Sequence, residues 1–178
     1  MPTIYDHTRR EEIPADQALS YLADVGVHYE FWPVDVVPEQ LRHQSGLNEE
    51  DKAAVLAAFQ ENLARISAER GYISHDVIVL NPDSTPNLEE LLANFQKTHH
   101  HTEDEVRFIV DGEGIFTLTR NENTFSITVR AGDLISVPVG TEHYFTLTES
   151  RNVKAIRLFQ TKDGWVAIYN EDPAVETR

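Results

Sequence analysis

The sequence predicts a mainly β protein, an antiparallel β-barrel or β-sandwich with several α-helices in its N-terminal half. Two patterns lead to this prediction. After Thr98, apolar and polar residues alternate with a period of two in several short segments, and no helical segment lies between them. This arrangement is typical of antiparallel barrels and sandwiches. Before Thr98, apolar residues recur mainly at helical spacing.

The length of the chain favours one domain. Its 178 residues are enough for a proper hydrophobic core. We therefore expect a single domain over residues 1–178, made of a helical N-terminal part with early strands (1–97), a strand-rich barrel core (98–170) and a mobile tail (171–178).

A long helix is predicted between Asn48 and Gly71. Asn48 is a good N-cap, and Asp51 stands at the third helical position. Apolar residues at helical spacing form a stripe from Val55 to Ile66, and Gly71 is well placed to end the helix.

The other N-terminal elements are shorter. They are a helix over 15–25, a strand over 27–31 and a strand over 75–80. Asn87 and Glu90 resemble a capping box, which predicts a further short helix that runs to Phe95.

The second half of the chain is expected to consist of strands and turns. The predicted strands are 105–111, 114–120, 125–130, 134–138, 143–148, 152–160 and 164–169. Turns are predicted at the segments DGEG (111–114), NEN (121–123) and AGD (131–133), because these residue types favour turns.

Composition excludes several classes of protein. The formal net charge of −15 argues against nucleic acid and anionic membranes as partners, because both need basic patches. The absence of cysteine excludes disulfides, iron–sulfur clusters and thiolate-bound metals. No apolar segment approaches transmembrane length, and the N-terminus lacks the apolar region of a signal peptide. We therefore expect a cytoplasmic protein.

The segment HHHTEDEVRF indicates a metal site. His99 and His101 are two residues apart, so on a strand both side chains point to one face. Glu105 adds a carboxylate, and His143 in the later segment GDLISVPVGTEHYF is a candidate fourth ligand. Imidazoles with one carboxylate suit a borderline divalent metal such as Fe, Ni, Mn, Co or Zn, whereas Ca and Mg prefer oxygen ligands.

Spacing alone leaves alternatives open. Glu103 and Glu105 both share the face of the two histidines, so parity does not choose between them. His100 points to the opposite face and is not expected to be a ligand. Paired histidines also occur as pH-responsive surface residues, and His143 taken alone would be an ordinary histidine at the edge of the core.

Both motifs resemble a known family. HHHTEDEVRFIVDGEG and GDLISVPVGTEHYF are similar to the two metal-binding motifs of the cupin superfamily. More narrowly, DEVRF, the GTEH-aromatic-F segment and the later RLFQTKDGWVA resemble the acireductone dioxygenase family. Two positions depart from the general cupin pattern, since Ala93 replaces a glycine and Leu147 replaces an asparagine.

The resemblance implies a fold, a ligand set and a reaction. The fold would be the cupin antiparallel barrel, or jelly roll, with the N-terminal helices packed outside. One Fe(II) or Ni(II) ion would be held by His99, His101, Glu105 and His143, which leaves Glu103 as a solvated turn charge. The substrates would be acireductone and O2, and the protein would be a monomer. The products would be 4-methylthio-2-oxobutanoate and formate with Fe(II), or methylthiopropionate, formate and CO with Ni(II).

Arg107 shares the face of Glu105 on a regular strand and would enter the same cavity. A buried guanidinium needs an anionic partner, which is either Glu105 in a structural ion pair or an anionic substrate. The resemblance favours the substrate role and makes Arg107 the candidate catalytic residue.

Three aromatic residues, Phe95, Phe145 and Trp165, are candidates for the substrate pocket. Aromatic residues at such positions also occur as ordinary core residues. The resemblance places similar side chains around the methylthio tail of the substrate.

Two other functions fit the same ligand set. One is a different cupin dioxygenase or an isomerase. The other is a cupin that binds a small molecule through its metal without catalysis, for which a tightly held zinc ion would be the sign.

Overall fold

The computed structural model describes residues 2–100, 103–162 and 168–169. Within these residues the strands are β1 (Thr3–Asp6), β2 (Glu11–Ile13), β3 (His28–Phe31), β4 (Ser74–Leu80), β5 (His99–His100), β6 (Glu105–Arg120), β7 (Asn123–Arg130), β8 (Asp133–Val137), β9 (Glu142–Leu147), β10 (Val153–Phe159) and β11 (Ile168–Tyr169). The helices are α1 (Ala18–Asp24), α2 (Glu39–His43), α3 (Glu49–Ala58), α4 (Gln60–Arg70) and α5 (Leu88–Phe95), and a 3-10 turn (Ala15–Gln17) precedes α1.

The strands form two antiparallel sheets that share β6. The first sheet has the order β2-β1-β7-β6-β9-β5-β11. The second has the order β4-β10-β6-β8-β3. The N-terminal half of β6 pairs in the second sheet, and its C-terminal half pairs in the first. The long strand therefore joins the two faces of the barrel.

The segment DGEG (111–114) lies inside β6, so the prediction of a turn there is wrong. Ile109 faces Ala155 and Asp111 faces Lys154, so Val110 is an extra residue in this pairing. This bulge bends the strand instead of ending it. Gly112 allows the bend because its φ is +77° and a Cβ there would lie 2.1 Å from the backbone oxygen of Asn152.

The space between the two sheets is filled by the main hydrophobic core. Its buried side chains come from both sheets and from the helices that close the barrel at one side, among them Ile4, Leu22, Leu92, Ile109, Phe116, Ile127, Ile135, Phe145 and Ala155. The metal-binding motifs reach into this same space from β5, β6 and β9.

A second core lies on the outer face of the second sheet. Val55, Phe59, Leu63 and Ile66 of the helical segment pack there in one cluster with strand residues such as Phe108. These four residues are the apolar stripe predicted from the sequence, and the expected packing of helices outside the barrel is confirmed.

The predicted helix between Asn48 and Gly71 is present as two helices that meet at Phe59. Asn48 and Asp51 form a capping box at the start of α3, and Gly71 ends α4 with a φ of +80°. Phe59 has a φ of −111° and lies between the two helices. Its ring is 1% exposed and packs 4.8 Å from the ring of Phe108, so the chain bends at a deeply buried aromatic residue.

Other expectations had mixed outcomes. The short helix α5 forms, but Asn87 makes no side-chain capping hydrogen bond within the described helix, so the prediction of a capping box there is wrong. The hairpin of β1 and β2 and the helix α2 were not predicted, because each is only three to five residues long. The predicted tail 171–178 lies outside the described residues.

No helix in the described part of the chain is long and apolar enough to cross a membrane.

Candidate metal centre

Three of the predicted ligands meet at one place in the fold. His99 in β5 and His143 in β9 are direct partners in the antiparallel ladder. Glu105 is the first residue of β6, which pairs with β9 through its other half. Three separate strands therefore bring these side chains together, as a closed barrel predicts.

The ligand atoms of His99, Glu105 and His143 all lie within 4.8 Å of one another, and the three residues are buried. Nε2 of His143 is 2.5 Å from Oε2 of Glu105. The rings of His99 and His143 have centroids 4.5 Å apart and planes inclined at 56°. Two imidazoles and a carboxylate therefore converge on one small volume.

Backbone carbonyls fix the orientation of both imidazoles. Nδ1 of His99 donates to the carbonyl oxygen of Lys97 at 2.6 Å, and Nδ1 of His143 donates to that of Thr141 at 2.8 Å. A carbonyl oxygen only accepts hydrogen bonds, so Nδ1 carries the proton and Nε2 keeps its lone pair in the neutral ring. This is the usual outer-shell arrangement of metal-bound histidines.

Two opposing effects act on the pKa of His143. Burial alone would lower its pKa, but the Glu105 carboxylate beside Nε2 outweighs burial, and the pKa of His143 is raised. The Glu105 carboxylate thus favours a positive charge at Nε2. A divalent cation gains from the same carboxylate and would replace the proton there.

The residues fit a borderline divalent metal. Their donors are two imidazole nitrogens and a carboxylate oxygen, a set that suits Fe, Ni, Co or Zn better than Ca or Mg. His101, the predicted fourth ligand, lies outside the described residues. Its place in the ligand set therefore stays a prediction.

Glu103 differs from its predicted environment. It is 4% exposed, and neither of its carboxylate oxygens has a hydrogen-bond partner among the described residues. The expectation of a solvated turn charge is therefore wrong. The side chain of Glu103 is instead buried within the fold, at a bend just before β6.

Arg107 contacts the carboxylate of Glu105. Its Nε donates to Oε1 of Glu105 at 3.1 Å, and the residue is 4% exposed. Burial lowers the pKa of Arg107, and the neighbouring Glu105 partly offsets this effect. An arginine side chain nevertheless stays protonated near neutral pH. A permanent positive charge therefore lies beside the candidate metal ligands.

Aromatic rings surround this guanidinium. Cζ of Arg107 lies 4.9 Å from the ring centroid of Phe145 and 5.8 Å from that of Phe95. The structure thus brings both predicted aromatic residues next to the predicted substrate-binding arginine. Trp165, the third predicted residue, lies outside the described residues.

Sequence reasoning missed a further ring. Phe116 lies 5.6 Å from Cζ of Arg107. Arg107 and Phe116 have opposite parity in the sequence, so a regular strand would put them on opposite faces. The bulge near Val110 shifts the parity by one and brings Phe116 to the inner face. The glycines of DGEG were the available signal.

Comparison with known proteins agrees with this geometry. The model of the ARD/ARD' family matches residues 28–167, which is well over half of the chain and includes both motifs. This chain belongs to the ARD/ARD' family.

Relatives in the ARD/ARD' family resemble the chain over nearly its whole length. An acireductone dioxygenase of Exiguobacterium sibiricum is 47% identical over 175 residues, which are 98% of this chain and 97% of the relative. One from Bacillus cereus is 53% identical over 150 residues, which are 84% of this chain and 88% of the relative.

A solved structure in the family has the same fold. It is an acireductone dioxygenase from Bacillus anthracis with a cadmium ion in its active centre. The two structures superimpose with a TM-score of 0.90 at 48% identity, over 95% of this chain and 98% of the other. The predicted mainly β antiparallel barrel with helices packed outside is therefore confirmed.

Proposed function

We propose that this chain is a metal-dependent acireductone dioxygenase of methionine salvage, which cleaves 1,2-dihydroxy-3-keto-5-methylthiopentene with O2. The observation that carries the proposal is the buried pair of Glu105 and Arg107 beside two convergent histidines. A set of metal ligands beside a permanent cation would suit the binding of a chelating enediolate. Membership of the ARD/ARD' family supports the same substrate.

His99, Glu105 and His143, with His101 as the proposed fourth ligand, would hold one Fe(II) or Ni(II) ion. When bound, the metal supplies Lewis acidity and a template that orients the oxygen atoms of the substrate. The chain fixes the ligand geometry through the two Nδ1–carbonyl hydrogen bonds described above. Rigid ligands are needed because small errors of position are costly in catalysis.

Arg107 would receive the negative charge of the substrate. The guanidinium is already buried and held by Glu105, so little reorganisation is needed when the enediolate binds. In this role Arg107 binds and stabilises an anion and transfers no proton.

Phe95 and Phe145 would exclude water from the pocket and contact the apolar methylthio tail, together with Trp165. Phe145 is 2% exposed, whereas Phe95 is half-buried at the end of α5. The Phe95 side chain is therefore partly accessible to solvent. Such a position suits a residue that a substrate passes or touches as it enters.

The products would depend on the metal. We propose 4-methylthio-2-oxobutanoate and formate with Fe(II), and methylthiopropionate, formate and CO with Ni(II). A monomeric state and a cytoplasmic location stay predictions.

The direct test is acireductone turnover by the purified chain loaded with Fe(II). Loss of substrate and uptake of O2 are followed together under air-saturated conditions. The proposal predicts stoichiometric consumption of both, loss of activity in His143→Ala and parental activity in His75→Ala, a control on an exposed histidine of β4. Protein that binds the metal but consumes no O2 with acireductone would contradict it.

A further inference from the structure

Gly114 of β6 lies directly against the Phe145 ring. A Cβ atom at position 114 would lie 2.4 Å from Cε2 and 2.6 Å from Cζ of Phe145. Carbon atoms that are not bonded prefer separations of roughly 3.5–4.0 Å. The Phe145 ring therefore rests against the bare backbone of β6, in a place that any side chain at position 114 would occupy.

The requirement for glycine at this position is one of space. The described glycines with positive φ are Gly26, Gly71, Gly112, Gly132 and Gly140. Gly114 is not among them, and it pairs in a regular antiparallel register with Leu147 of β9. Alanine is thus compatible with the backbone at position 114, and its cost would come from contact with the Phe145 ring.

Neighbouring rings restrict where Phe145 can move. Its centroid lies 4.9 Å from that of Phe116, with planes inclined at 50°, and 6.2 Å from that of Phe95, with planes inclined at 72°. The residue is 2% exposed. A ring displaced from Gly114 must move within this packed group, which also surrounds the guanidinium of Arg107.

Among these three rings, Phe145 makes the closest contact with Arg107. The distance from Cζ to the ring centroid is 4.9 Å, compared with 5.6 Å for Phe116 and 5.8 Å for Phe95. A guanidinium over an aromatic face is attracted by the ring quadrupole, and the attraction increases when water is excluded. The position of the Phe145 ring therefore affects where the guanidinium lies relative to Glu105.

We propose that Gly114 is a positioning residue for the substrate-binding arginine: the missing side chain lets Phe145 lie against β6, and the ring in turn holds Arg107 beside the metal ligands. The proposal rests on the function proposed above. Gly114 itself touches neither substrate nor metal and acts through two intervening side chains.

A double-mutant cycle tests this coupling. The cycle compares kcat/KM with acireductone among the parent, Gly114→Ala, Phe145→Leu and the double variant. All four are loaded to the same metal content, and their thermal midpoints are measured to show that each is folded. We expect Gly114→Ala to lower kcat/KM by about 10- to 100-fold, because small displacements at an active site are costly. In the Phe145→Leu background, where the clashing ring is absent, the same substitution should cost less than about 3-fold. An equal loss in both backgrounds, or no loss in the single variant, overturns the proposal.

Two controls separate positioning from general damage. Gly46→Ala introduces a Cβ at 3.6 Å from Cβ of Ser84, an ordinary contact, and should leave kcat/KM unchanged. A crystal structure of Gly114→Ala should show both the Phe145 ring and the Arg107 guanidinium displaced. An unmoved guanidinium overturns the proposal whatever the activity is. Failure of the proposed function would instead be seen in the parent protein, as absence of acireductone turnover.

Discussion

Glu105 connects the two chemical parts of the site. One carboxylate oxygen lies 2.5 Å from Nε2 of His143, and the other accepts a hydrogen bond from Nε of Arg107 at 3.1 Å. Both contacts are buried, so water screens neither of them. A single side chain therefore orients the candidate metal ligands and the proposed substrate-binding cation with respect to each other.

Removal of a histidine ligand should abolish metal binding. We expect His143→Ala to lose most of its bound metal, because the remaining donors no longer surround the ion. Elemental analysis of protein purified with Fe(II) or Ni(II) measures the ratio of metal to chain, and His75→Ala should keep the parental ratio. Full occupancy in His143→Ala would remove this residue from the ligand set.

Substitution of Arg107 distinguishes a substrate-binding role from a purely structural ion pair. If it receives the substrate anion, Arg107→Ala should lower kcat/KM by roughly 100- to 1,000-fold, the usual effect of losing one charge-stabilising donor. Metal content and thermal midpoint should stay near those of the parent. A large fall in thermal midpoint together with activity would instead support a purely structural ion pair with Glu105.

Parity arguments were sufficient for some site residues and not for others. Alternation along a regular strand put His99, Glu105 and Arg107 on one face. The family resemblance, and not parity, selected Glu105 over Glu103. Glu103 has the same parity, but its burial depends on how the segment before β6 folds, which the spacing does not contain. Phe116 was missed because a bulge changed the parity between it and Arg107.

Strand β6 determines how the two sheets of the barrel are joined. Sixteen residues run through both sheets, from Glu105 to Arg120. The sequence DGEG was interpreted as a turn because glycine-rich segments serve turns and bulges equally well. The distinction depends on distant pairing with Asn152 and Val153, and this pairing is not visible in the local sequence.

Gly112 should be among the most sensitive positions of this strand. Gly112→Ala combines a positive φ with a Cβ 2.1 Å from the backbone oxygen of Asn152. Gly71→Ala is the matched control, because its φ is +80° but no atom of the described chain lies within 4 Å of the added Cβ. We expect the control to lose about 1–2 kcal/mol of the free energy of unfolding, from the left-handed backbone alone.

The loss for Gly112→Ala should exceed that of the control by about 1 kcal/mol or more, since the backbone must move to remove the overlap. Denaturant unfolding of both variants gives the comparison. Equal losses would show that the bulge relaxes easily around a methyl group.

Glu30 links the barrel to the outer helices. Its carboxylate in β3 accepts hydrogen bonds from Arg65 of α4, from Trp32 at 3.0 Å and from His28 at 2.8 Å. Burial alone would raise the pKa of Glu30, but these hydrogen bonds, led by that from Arg65, lower it to about 2.

This depressed pKa predicts a contribution to stability at neutral pH that is lost in acid. The contribution is fully present above the normal pKa of a glutamate, about 4.3, and disappears as the pH falls towards the pKa of about 2 in the folded protein. Because Arg65 is partly exposed, we expect about 1 kcal/mol. Glu30→Gln should lose this amount at pH 7, and the difference from the parent should vanish near pH 2, measured by chemical denaturation. A difference that is constant with pH would contradict this origin.

The main helices and strands were predictable from periodicity, whereas the break between two helices and the short hairpin were not. The helices that cover the second sheet follow from the stripe of Val55, Phe59, Leu63 and Ile66. The break at Phe59 does not, because this residue continues the helical spacing on both sides. The hairpin of β1 and β2 was missed for a different reason, because strands of three or four residues are too short to show a clear alternation.

We expect one N/O-ligand site in this barrel to cleave acireductone with O2, and analysis of the products checks this expectation. One preparation of metal-free protein is divided and loaded with Fe(II) or Ni(II), and O2 uptake, organic acids and headspace gas are measured with acireductone. We expect O2 uptake in both samples, 4-methylthio-2-oxobutanoate and formate with Fe(II), and CO only with Ni(II). Identical products would contradict control of the outcome by the metal, and no O2 uptake by either metal-loaded sample would contradict the dioxygenase itself.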